Sequence, residues 1–524
     1  MKRVLSLLYT FMLLTICLLH ANAQDQKKIF FRAELLEYDE AVLPDVERYS
    51  GNVIFRHDNT IGYCDRANHN RVTNQLEAFG NPVIVVSNDS IKLYGQRILY
   101  DGNARTVTVY QNVILKDNSA ALYTDSLFYS MNDAMGYYLE GGKILNDSNV
   151  LTSRIGYYYT DKKMAYLYDS VRLTNSSYTV DCEKSSFNTG NSTVYFISRT
   201  HLVSDENEIF TDRGWYDTKR DLVTLAGNAE LFNEDQVLTG DSLFYDKGRK
   251  FGQGWNNVQL LDVKDNSILQ GNYVEFEEKN YAVATDSSVM VYIYNADSLF
   301  LHADTLLLLL DTTNHPSWAY AFNHVKFFRY DMQGACDSMT YSFEDSLLTM
   351  FFNPVLWTGE NQLTADTIFF YVVDSNNMRL ELNHSAFISS SLFRETEFNQ
   401  VKGLKIVGHI ANRSLRRMDV IGNAECLYYI LDEDSSLIGI NSAMTSEMSI
   451  LLDSNEIQSI TFYNNPDGKL YPDKDLPKED RLLKNFHWLN VYRPQKKEDI
   501  FVNPVERKPA EAIVSKKYGE EVVE

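Results

Sequence analysis

One acidic side chain recurs along this chain at a nearly constant spacing. With the residue before it as reference, twelve positions follow one another at intervals of 29 to 33 residues. Carboxylates could ligate calcium or act in acid–base catalysis, but such sites gather several ligands or one unusual pair in one place. One acid per repeat instead predicts a turn-forming or capping role, with calcium ligation as the alternative. The acids are Glu34, Asp65, Asp125, Glu183, Asp212, Asp241, Asp304, Asp337 and Asp366.

Other patterns that could support catalysis are missing from the sequence. The histidines are scattered without short metal-ligand spacing, and there is no G-x-S-x-G motif, P-loop or dinucleotide fingerprint. We therefore predict no catalytic residues, no metal site, no cofactor and no enzyme. Paired carboxylates on a right-handed β-helix, as in a polysaccharide hydrolase or lyase, are the leading enzymatic alternative.

Composition and charge narrow the function further. The chain has 524 residues, of which 44% are hydrophobic, so it can bury a large core. Its formal net charge of -22 argues against nucleic acid as a partner, because nucleic acid attracts basic surfaces.

The first 23 residues have the pattern of a signal peptide. Lys2 and Arg3 precede an uncharged, mostly apolar stretch from Val4 to Leu19, and the small residues Ala21 and Ala23 then form a cleavage-like site. We expect export across the inner membrane and a periplasmic location. The predicted domains are the signal peptide at 1–23, the repeats at 24–463, which could form two or three sub-domains, and a Pro-rich, charged cap or tail at 464–524.

When the repeats are aligned, each equivalent position forms a column, and the columns around the acid predict β-structure. An apolar residue precedes the small reference residue by two positions, and an aromatic residue follows that reference by five positions in ten of twelve repeats. Gly-Asn pairs such as those in "GNVIF" and "GNAELF" follow, and these are typical of turns between strands. Each repeat is therefore expected to contain three strands, with a bulge at the acid so that both flanking apolar pairs point inward. Stacking of such repeats buries their apolar faces.

Three of the cysteines fall in the small-residue column. Cys64, Cys182 and Cys336 are four and then five repeats apart, which places them roughly 19 Å or more from one another at the spacing of stacked strands. A disulfide needs Cα atoms within about 7 Å, so we predict free, buried thiols.

The repeats resemble a known family. "LTGDSLFYD…AGNAELF" and "LYTDSLFYS" are similar to the OstA-like family of periplasmic lipopolysaccharide transport and assembly proteins, over roughly Ile29 to Tyr463. The resemblance implies an all-β fold: an elongated, open antiparallel β-jellyroll of about twelve to fourteen repeats of roughly 30 residues. It also implies lipopolysaccharide as the ligand, its acyl chains lying in an apolar groove. Inner-membrane and outer-membrane components of the same system would stack end to end with it.

From the columns, the lining of such a groove can be predicted residue by residue. Ordinary sandwich core is the equal alternative for each residue, because periodicity shows only that a side chain faces inward. A surface adhesin or a polysaccharide-binding or -degrading protein is the alternative function. The predicted lining is Val53, Phe55, Val83, Val113, Leu115, Leu127, Tyr129, Leu243, Tyr245, Val258, Leu260, Val325, Phe327, Ile368 and Phe370.

The C-terminal region departs from the repeat. "FHWLNVYRPQ", Phe486 to Gln495, is aromatic amid charged residues. We expect a strand or cap on the last layer, which blocks edge pairing, with a docking peptide for a partner as the alternative. Beyond Lys496 the polar chain is expected to be flexible.

Overall fold

The structure is a computed structural model. It describes residues 28–86, 90–205, 207–264, 266–294, 297–374, 376–393, 395–412, 414–432, 436–453 and 456–502. The predicted signal peptide and residues 503–524 of the tail lie outside these ranges. The chain divides into two compact units, with the boundary after Gly227.

Strands make up almost all of the first unit. They are β1 (Phe30–Arg32), β2 (Leu35–Tyr38), β3 (Val46–His57), β4 (Thr60–Asn70), β5 (Gln75–Phe79), β6 (Val83–Val86), β7 (Ile91–Tyr94), β8 (Arg97–Asp101), β9 (Thr106–Lys116), β10 (Ala121–Ser130), β11 (Met135–Tyr138), β12 (Gly142–Asn146), β13 (Asn149–Ser153), β14 (Ile155–Tyr159), β15 (Met164–Thr174), β16 (Tyr178–Asn188), β17 (Thr193–Phe196), β18 (Thr200–Ser204), β19 (Glu208–Thr211), β20 (Arg213–Asp217) and β21 (Leu222–Phe232), whose last residues belong to the second unit.

The second unit continues the same pattern and ends in short 3-10 turns. Its strands are β22 (Gln236–Asp246), β23 (Phe251–Asp262), β24 (Ser267–Glu277), β25 (Tyr281–Tyr294), β26 (Asp297–Leu310), β27 (Pro316–Arg329), β28 (Met332–Ser342), β29 (Leu347–Phe351), β30 (Val355–Thr358), β31 (Asn361–Thr364), β32 (Thr367–Val372), β33 (Asn377–Leu392), β34 (Glu397–Ala411), β35 (Ser414–Leu431), β36 (Leu437–Asp453), β37 (Glu456–Tyr463) and β38 (Asp467–Tyr471). The 3-10 turns are Asp473–Asp475, Lys478–Arg481, Asn490–Tyr492 and Lys497–Phe501.

Most long strands bend and so belong to two sheets. One arm of β9 pairs with β8 and the other arm pairs with β7, while β10 follows both arms on the opposite side. The pairings of the described strands are antiparallel, as in β23 with β24 and β34 with β35. The prediction of an all-β antiparallel jellyroll is confirmed, and the parallel β-helix of the enzymatic alternative is not the fold of these strands.

The Gly-Asn column forms corners inside strands, so its prediction as a turn between strands is wrong. Gly51 and Asn52 have φ of 78° and 46° yet lie within β3, and Gln111 and Asn112 occupy the same place in β9. Two successive left-handed residues swing a strand from one sheet into the other without reversing it. Gly and Asn adopt this conformation at the lowest cost. In the second unit a repeat is built mainly of two long bent strands, such as β23 and β24, rather than three. In the first unit several bent strands are interrupted at the corner, as β5 and β6 are at Gly80.

The predicted bulge at the acid is confirmed. The register between β9 and β10 shifts between Thr124 and Ser126, at Asp125. As a result Leu122, Leu127 and Tyr129 all point inward, with at most 1% of each side chain exposed. Gln111 and Asn112 of β9 lie opposite the single residue Asp125 of β10, and at this corner the alternation along β10 changes face, so both flanking apolar pairs reach the core.

The acid column and the Gly-Asn column meet across neighbouring strands. Nδ2 of Asn52 donates a hydrogen bond to Oε1 of Glu34 at 2.6 Å, and Nδ2 of Asn257 donates to Oδ2 of Asp241 at 3.1 Å. The carboxylates therefore cap corners, in line with the structural role predicted for them. Within the described ranges, no group of three His, Cys, Asp or Glu side chains could hold a metal ion.

The four cysteines of the described chain are unpaired, as predicted for three of them. Cys64, Cys336 and Cys426 are buried and Cys182 is half-buried. Burial raises the pKa of the Cys64 and Cys336 thiols to about 12 and that of Cys182 and Cys426 to about 11. In the described part of the chain, no helix has the length and apolar character needed to span a bilayer.

Candidate functional site

The interior of the first unit is closed. Six of the predicted lining residues lie there with at most 1% of the side chain exposed, and the side chain of Val83 lies outside the described part. Apolar side chains of neighbouring strands, such as Leu76, Ile98 and Val109, are buried with them at 0 to 2% exposure. The six are Val53, Phe55, Val113, Leu115, Leu127 and Tyr129.

Buried tyrosines complete this core by hydrogen bonding. The Tyr129 hydroxyl lies 3.2 Å from Oγ1 of Thr160, and the Tyr138 hydroxyl lies 2.7 Å from Oγ of Ser153. The Tyr158 hydroxyl contacts both Asp117 and Thr189. Burial raises the pKa of Tyr129 and raises that of Tyr138 to about 12, so both stay neutral. Tyr129 and Tyr158 of the inward column are therefore structural core, whereas Tyr38 of the same column is 42% exposed and Tyr216 is half-buried.

The second unit differs because its inward face is only partly covered. Leu243, Val258, Val325, Phe327 and Ile368 have 0 to 6% of the side chain exposed, and all except Leu243 are members of one buried cluster. The other predicted lining residues here, Tyr245, Leu260 and Phe370, are half-buried. The buried residues lie near the corners, whereas the half-buried ones lie farther out along the arms.

One arm of strands β22 to β27 carries an apolar row, which we call the first wall. Leu238 pairs with Leu260, Leu260 with Leu269, and Leu269 with Met290. The row continues to Leu301 and Phe327. All except Phe327 are half-buried, so one partly exposed apolar side chain is contributed by each of five successive strands.

The other arm carries a second wall in which large and small side chains alternate. Tyr245 pairs with Gly252, which pairs with Phe276. The Tyr245 and Phe276 rings lie 6.1 Å apart at an interplanar angle of 22°. A Cβ atom on Gly252 would come 2.2 Å from the Phe276 ring, so only glycine leaves room for it. The alternation continues through Ala282, Leu308, Ala319 and Tyr341, all half-buried.

We call the two walls, with the buried corner between them, the candidate groove of the second unit. Its floor includes Ala284, Ala303, Leu306 and Val325, which belong to one buried cluster. Half-buried apolar side chains on both arms remain available to a ligand. Sequence periodicity identified inward-facing positions in both units alike, but it carried no signal that separates the closed first unit from this groove.

A C-terminal segment, residues 472–502, lies across the outer face of the second unit, and we call it the strap. Glutamines of the sheet hold its backbone. Gln400 donates to the Arg481 carbonyl oxygen and accepts from the Leu483 amide. Gln400, Gln362 and Gln333 have 0, 2 and 3% of the side chain exposed, although nothing in their sequence context indicates burial.

Apolar side chains of the strap fill positions along the same outer face. Leu476 packs with Tyr429 and Ile440, and Ile500 is 2% exposed against Val289 and Val291. Phe486 and Trp488 both contact the Phe398 ring at 4.9 Å between centroids. The segment "FHWLNVYRPQ" is thus neither a strand nor a cap on the last layer, and order extends past Lys496 to Val502. The sequence signal for the strap is the presence of apolar residues at outward-facing strand positions, such as Val289 and Val291, which need another segment to cover them.

Comparison with known proteins supports the resemblance in the N-terminal part. Residues 25–183 match the family model described as OstA-like protein. Among solved structures, the chain is similar to LptH, the LptA-homologous periplasmic component of the lipopolysaccharide transport device of Pseudomonas aeruginosa. The identity is 14% over 32% of this chain and 81% of that one, with a TM-score of 0.10. No curated protein matches the chain. The family model thus matches the N-terminal part of the chain, where the repeat predicted an OstA-like sequence.

Proposed function

We propose that this chain is a periplasmic lipopolysaccharide-binding bridge protein, and that the groove of the second unit shelters lipid acyl chains on the way to the outer membrane. The observation that carries the proposal is the partial exposure of both walls, from Leu238 to Leu301 on one arm and from Tyr245 to Tyr341 on the other. The OstA-like match over residues 25–183 supports the choice of lipid class.

Apolar area provides the driving force. Each CH₂ of an alkyl chain removed from water contributes about 0.8 kcal/mol. Leucine, methionine and phenylalanine side chains can adapt to a ligand without exposing polar atoms to it. The first unit offers no comparable space, because its inward side chains are packed against one another. Among the predicted lining residues, those of the second unit are therefore proposed to contact the lipid.

The partners are proposed to join at open sheet edges. Within the described ranges, β1 and β2 both pair with β3, which leaves their other edges available for strand addition. Phe30 is 72% exposed and Leu36 is 55% exposed at this edge. Such an edge suits end-to-end stacking of another jellyroll, as the family resemblance implies. We also propose that the chain is exported to the periplasm and that its signal peptide is cleaved after Ala23.

The alternative functions have less support. Sugar binding by the inward tyrosine column would need exposed rings, yet Tyr100, Tyr129 and Tyr158 are at most 1% exposed. The leading enzymatic alternative assumed a parallel β-helix, whereas the strands pair antiparallel. A different set of aromatic residues, from Phe128 to Trp215, faces outward.

Site-specific crosslinking in cells tests the groove. A photo-reactive amino acid placed at Leu269 or at Tyr245 should capture lipopolysaccharide. The same residue at Tyr129, in the closed first unit, and at the outward-facing Ser126 should not. Equal capture at Ser126 and Leu269, or no capture at any groove position in a folded protein, would contradict the proposal.

A further inference from the structure

Outward-facing aromatic side chains form a row across the first unit. Phe128 pairs with Tyr137, Tyr137 with Tyr157, and Tyr157 with Tyr166. Tyr166 pairs with Ser186, which is the one non-aromatic position in the row. Ser186 pairs with Tyr195, and Tyr195 pairs with Trp215. Six of seven neighbouring strand segments therefore contribute an aromatic ring at the same level. At the spacing of paired strands the row is about 29 Å long. We call it the aromatic row.

The rings contact one another but remain partly open to solvent. Ring centroids are 5.0 Å apart for Phe128 and Tyr137 and 5.7 Å apart for Tyr137 and Tyr157. All six aromatic residues of the row are half-buried, and Tyr168, whose ring meets that of Tyr157 edge-on, is 36% exposed. Cross-strand aromatic pairs stabilise a sheet, but two adjacent pairs would be enough for that. A continuous row also presents an extended surface for a ligand.

The charge around the row is unlike that of the rest of the chain. Asp and Glu number 71 in the sequence, yet none of the outward-facing residues in the row-bearing arms of β9 to β17 is acidic. These fully described segments carry one outward charge, the exposed Lys184. The exposed Arg213 lies two residues from Trp215, and the Lys162 ammonium lies 5.0 Å from the Tyr159 ring centroid. In β20, which carries Trp215, the acid Asp217 shares the face of Trp215 at the end of the strand, where it is 9% exposed.

We propose that the aromatic row binds an anionic oligosaccharide, one that bears phosphate or carboxylate groups. The electron-rich face of an aromatic ring attracts the polarised C–H groups of a sugar ring, and tyrosine adds a hydroxyl that both donates and accepts hydrogen bonds. The row-bearing arms of β9 to β17 carry no outward carboxylate to repel anionic substituents, and Lys184 and the exposed Arg213 attract them. Four of the six rings of the row also carry a hydroxyl, which favours a saccharide over an apolar protein partner.

This proposal is independent of the groove, because a saccharide without acyl chains is sufficient for it. The probe is a delipidated, phosphorylated core oligosaccharide, titrated into the full chain while Trp215 fluorescence and binding heat are followed. Saturable binding is expected, with an affinity at least several-fold lower after enzymatic removal of the phosphates. Tyr157→Ser and Tyr166→Ser should each weaken binding by about tenfold.

Matched variants separate the outcomes. Tyr63→Ser removes a tyrosine that is 44% exposed outside the row and should leave the affinity unchanged. Leu269→Ser in the groove should also leave it unchanged, so failure of the lipid proposal is distinguishable from failure of this one. Tyr157→Leu keeps bulk in the sheet and controls for misfolding, which circular dichroism would report. Wild-type affinity in folded Tyr157→Ser and Tyr157→Leu, or capture of a protein but no saccharide, would overturn the proposal.

Discussion

Gln362 holds the strap through both ends of its side-chain amide. Its Nε2 donates to the His487 carbonyl oxygen at 2.7 Å, and its Oε1 accepts from the Leu489 amide at 2.6 Å. Gln400 makes the same two bonds with Arg481 and Leu483. A glutamine side chain therefore takes the place of a neighbouring strand, satisfying a carbonyl and an amide two residues apart. This allows an irregular segment to lie on a sheet without buried, unsatisfied backbone groups.

Removing this clamp should loosen the strap. Gln362→Ala removes the bonds that this side chain makes with the His487 carbonyl and the Leu489 amide, and a buried amide left unsatisfied costs about 1–3 kcal/mol. We expect the free energy of opening at the Leu489 amide to fall by about 2–3 kcal/mol, measured by native-state hydrogen exchange. Asn361→Ala, at the exposed neighbouring residue, is the control and should change it little. Unaltered exchange at Leu489 in Gln362→Ala would show that the apolar contacts alone hold the strap.

The corners should tolerate glycine better than a β-branched residue. Asn112 has φ of 51° within β9, a conformation that is strained for β-branched side chains. Asn112→Val should destabilise the first unit by about 1–3 kcal/mol, while Asn112→Gly should be nearly neutral. Urea unfolding followed by tyrosine fluorescence measures both. Equal stability of the two variants would argue against the left-handed corner.

The groove can be narrowed from one backbone position. A Cβ on Gly252 would lie 2.2 Å from Phe276, whose half-buried ring can move only towards the open side of the groove. Gly252→Ala should therefore reduce photo-capture of lipid at Tyr245 while the protein stays folded. Gly248→Ala, in the neighbouring turn, is a suitable control because its nearest contact would be an ordinary one at 3.4 Å. Undiminished capture in Gly252→Ala would mean that the second wall does not contact the ligand.

The buried thiols should react slowly in the native protein. Burial raises the pKa of Cys336 to about 12 and that of Cys426 to about 11, so little thiolate exists at pH 8. Alkylation of Cys336 by iodoacetamide should be roughly a thousandfold slower than that of a free cysteine with its pKa near 8.5. Unfolding in urea should restore the ordinary rate. Rapid labelling of the native protein, read by mass spectrometry of peptides, would contradict this burial.

Alkaline pH should destabilise the first unit. The pKa of Cys64 is raised by burial to about 12 and that of Tyr138 to about 12, and burial also raises the pKa of Tyr129. In the unfolded chain these groups ionise near pH 8.5 and 10, so the folded state binds more protons above those values. Their stabilising contribution is complete below pH 8 and is lost progressively as the pH rises to about 12. Denaturant midpoints measured from pH 7 to 11 should fall, most steeply above pH 9.

Local sequence was enough to establish much of this architecture. The column ending in Tyr129 and the acid at Asp125 indicated a bulged strand, because alternation along a strand and its interruption depend only on nearby residues. The small-residue column likewise indicated unpaired thiols, since repeat spacing sets the distance between layers. The Gly-Asn pairs signalled left-handed backbone, although the sequence did not distinguish a corner within a strand from a turn between strands.

Tertiary structure alone decided where the interior is open and what covers the outside. Leu115 and Leu260 occupy equivalent columns, yet the first is fully buried and the second is half-buried. The difference arises from packing against residues that are distant in sequence, which the periodicity of a repeat does not encode. The clamp between Gln362 and Leu489 joins residues 127 positions apart, and a glutamine carries no local sign of such a partner.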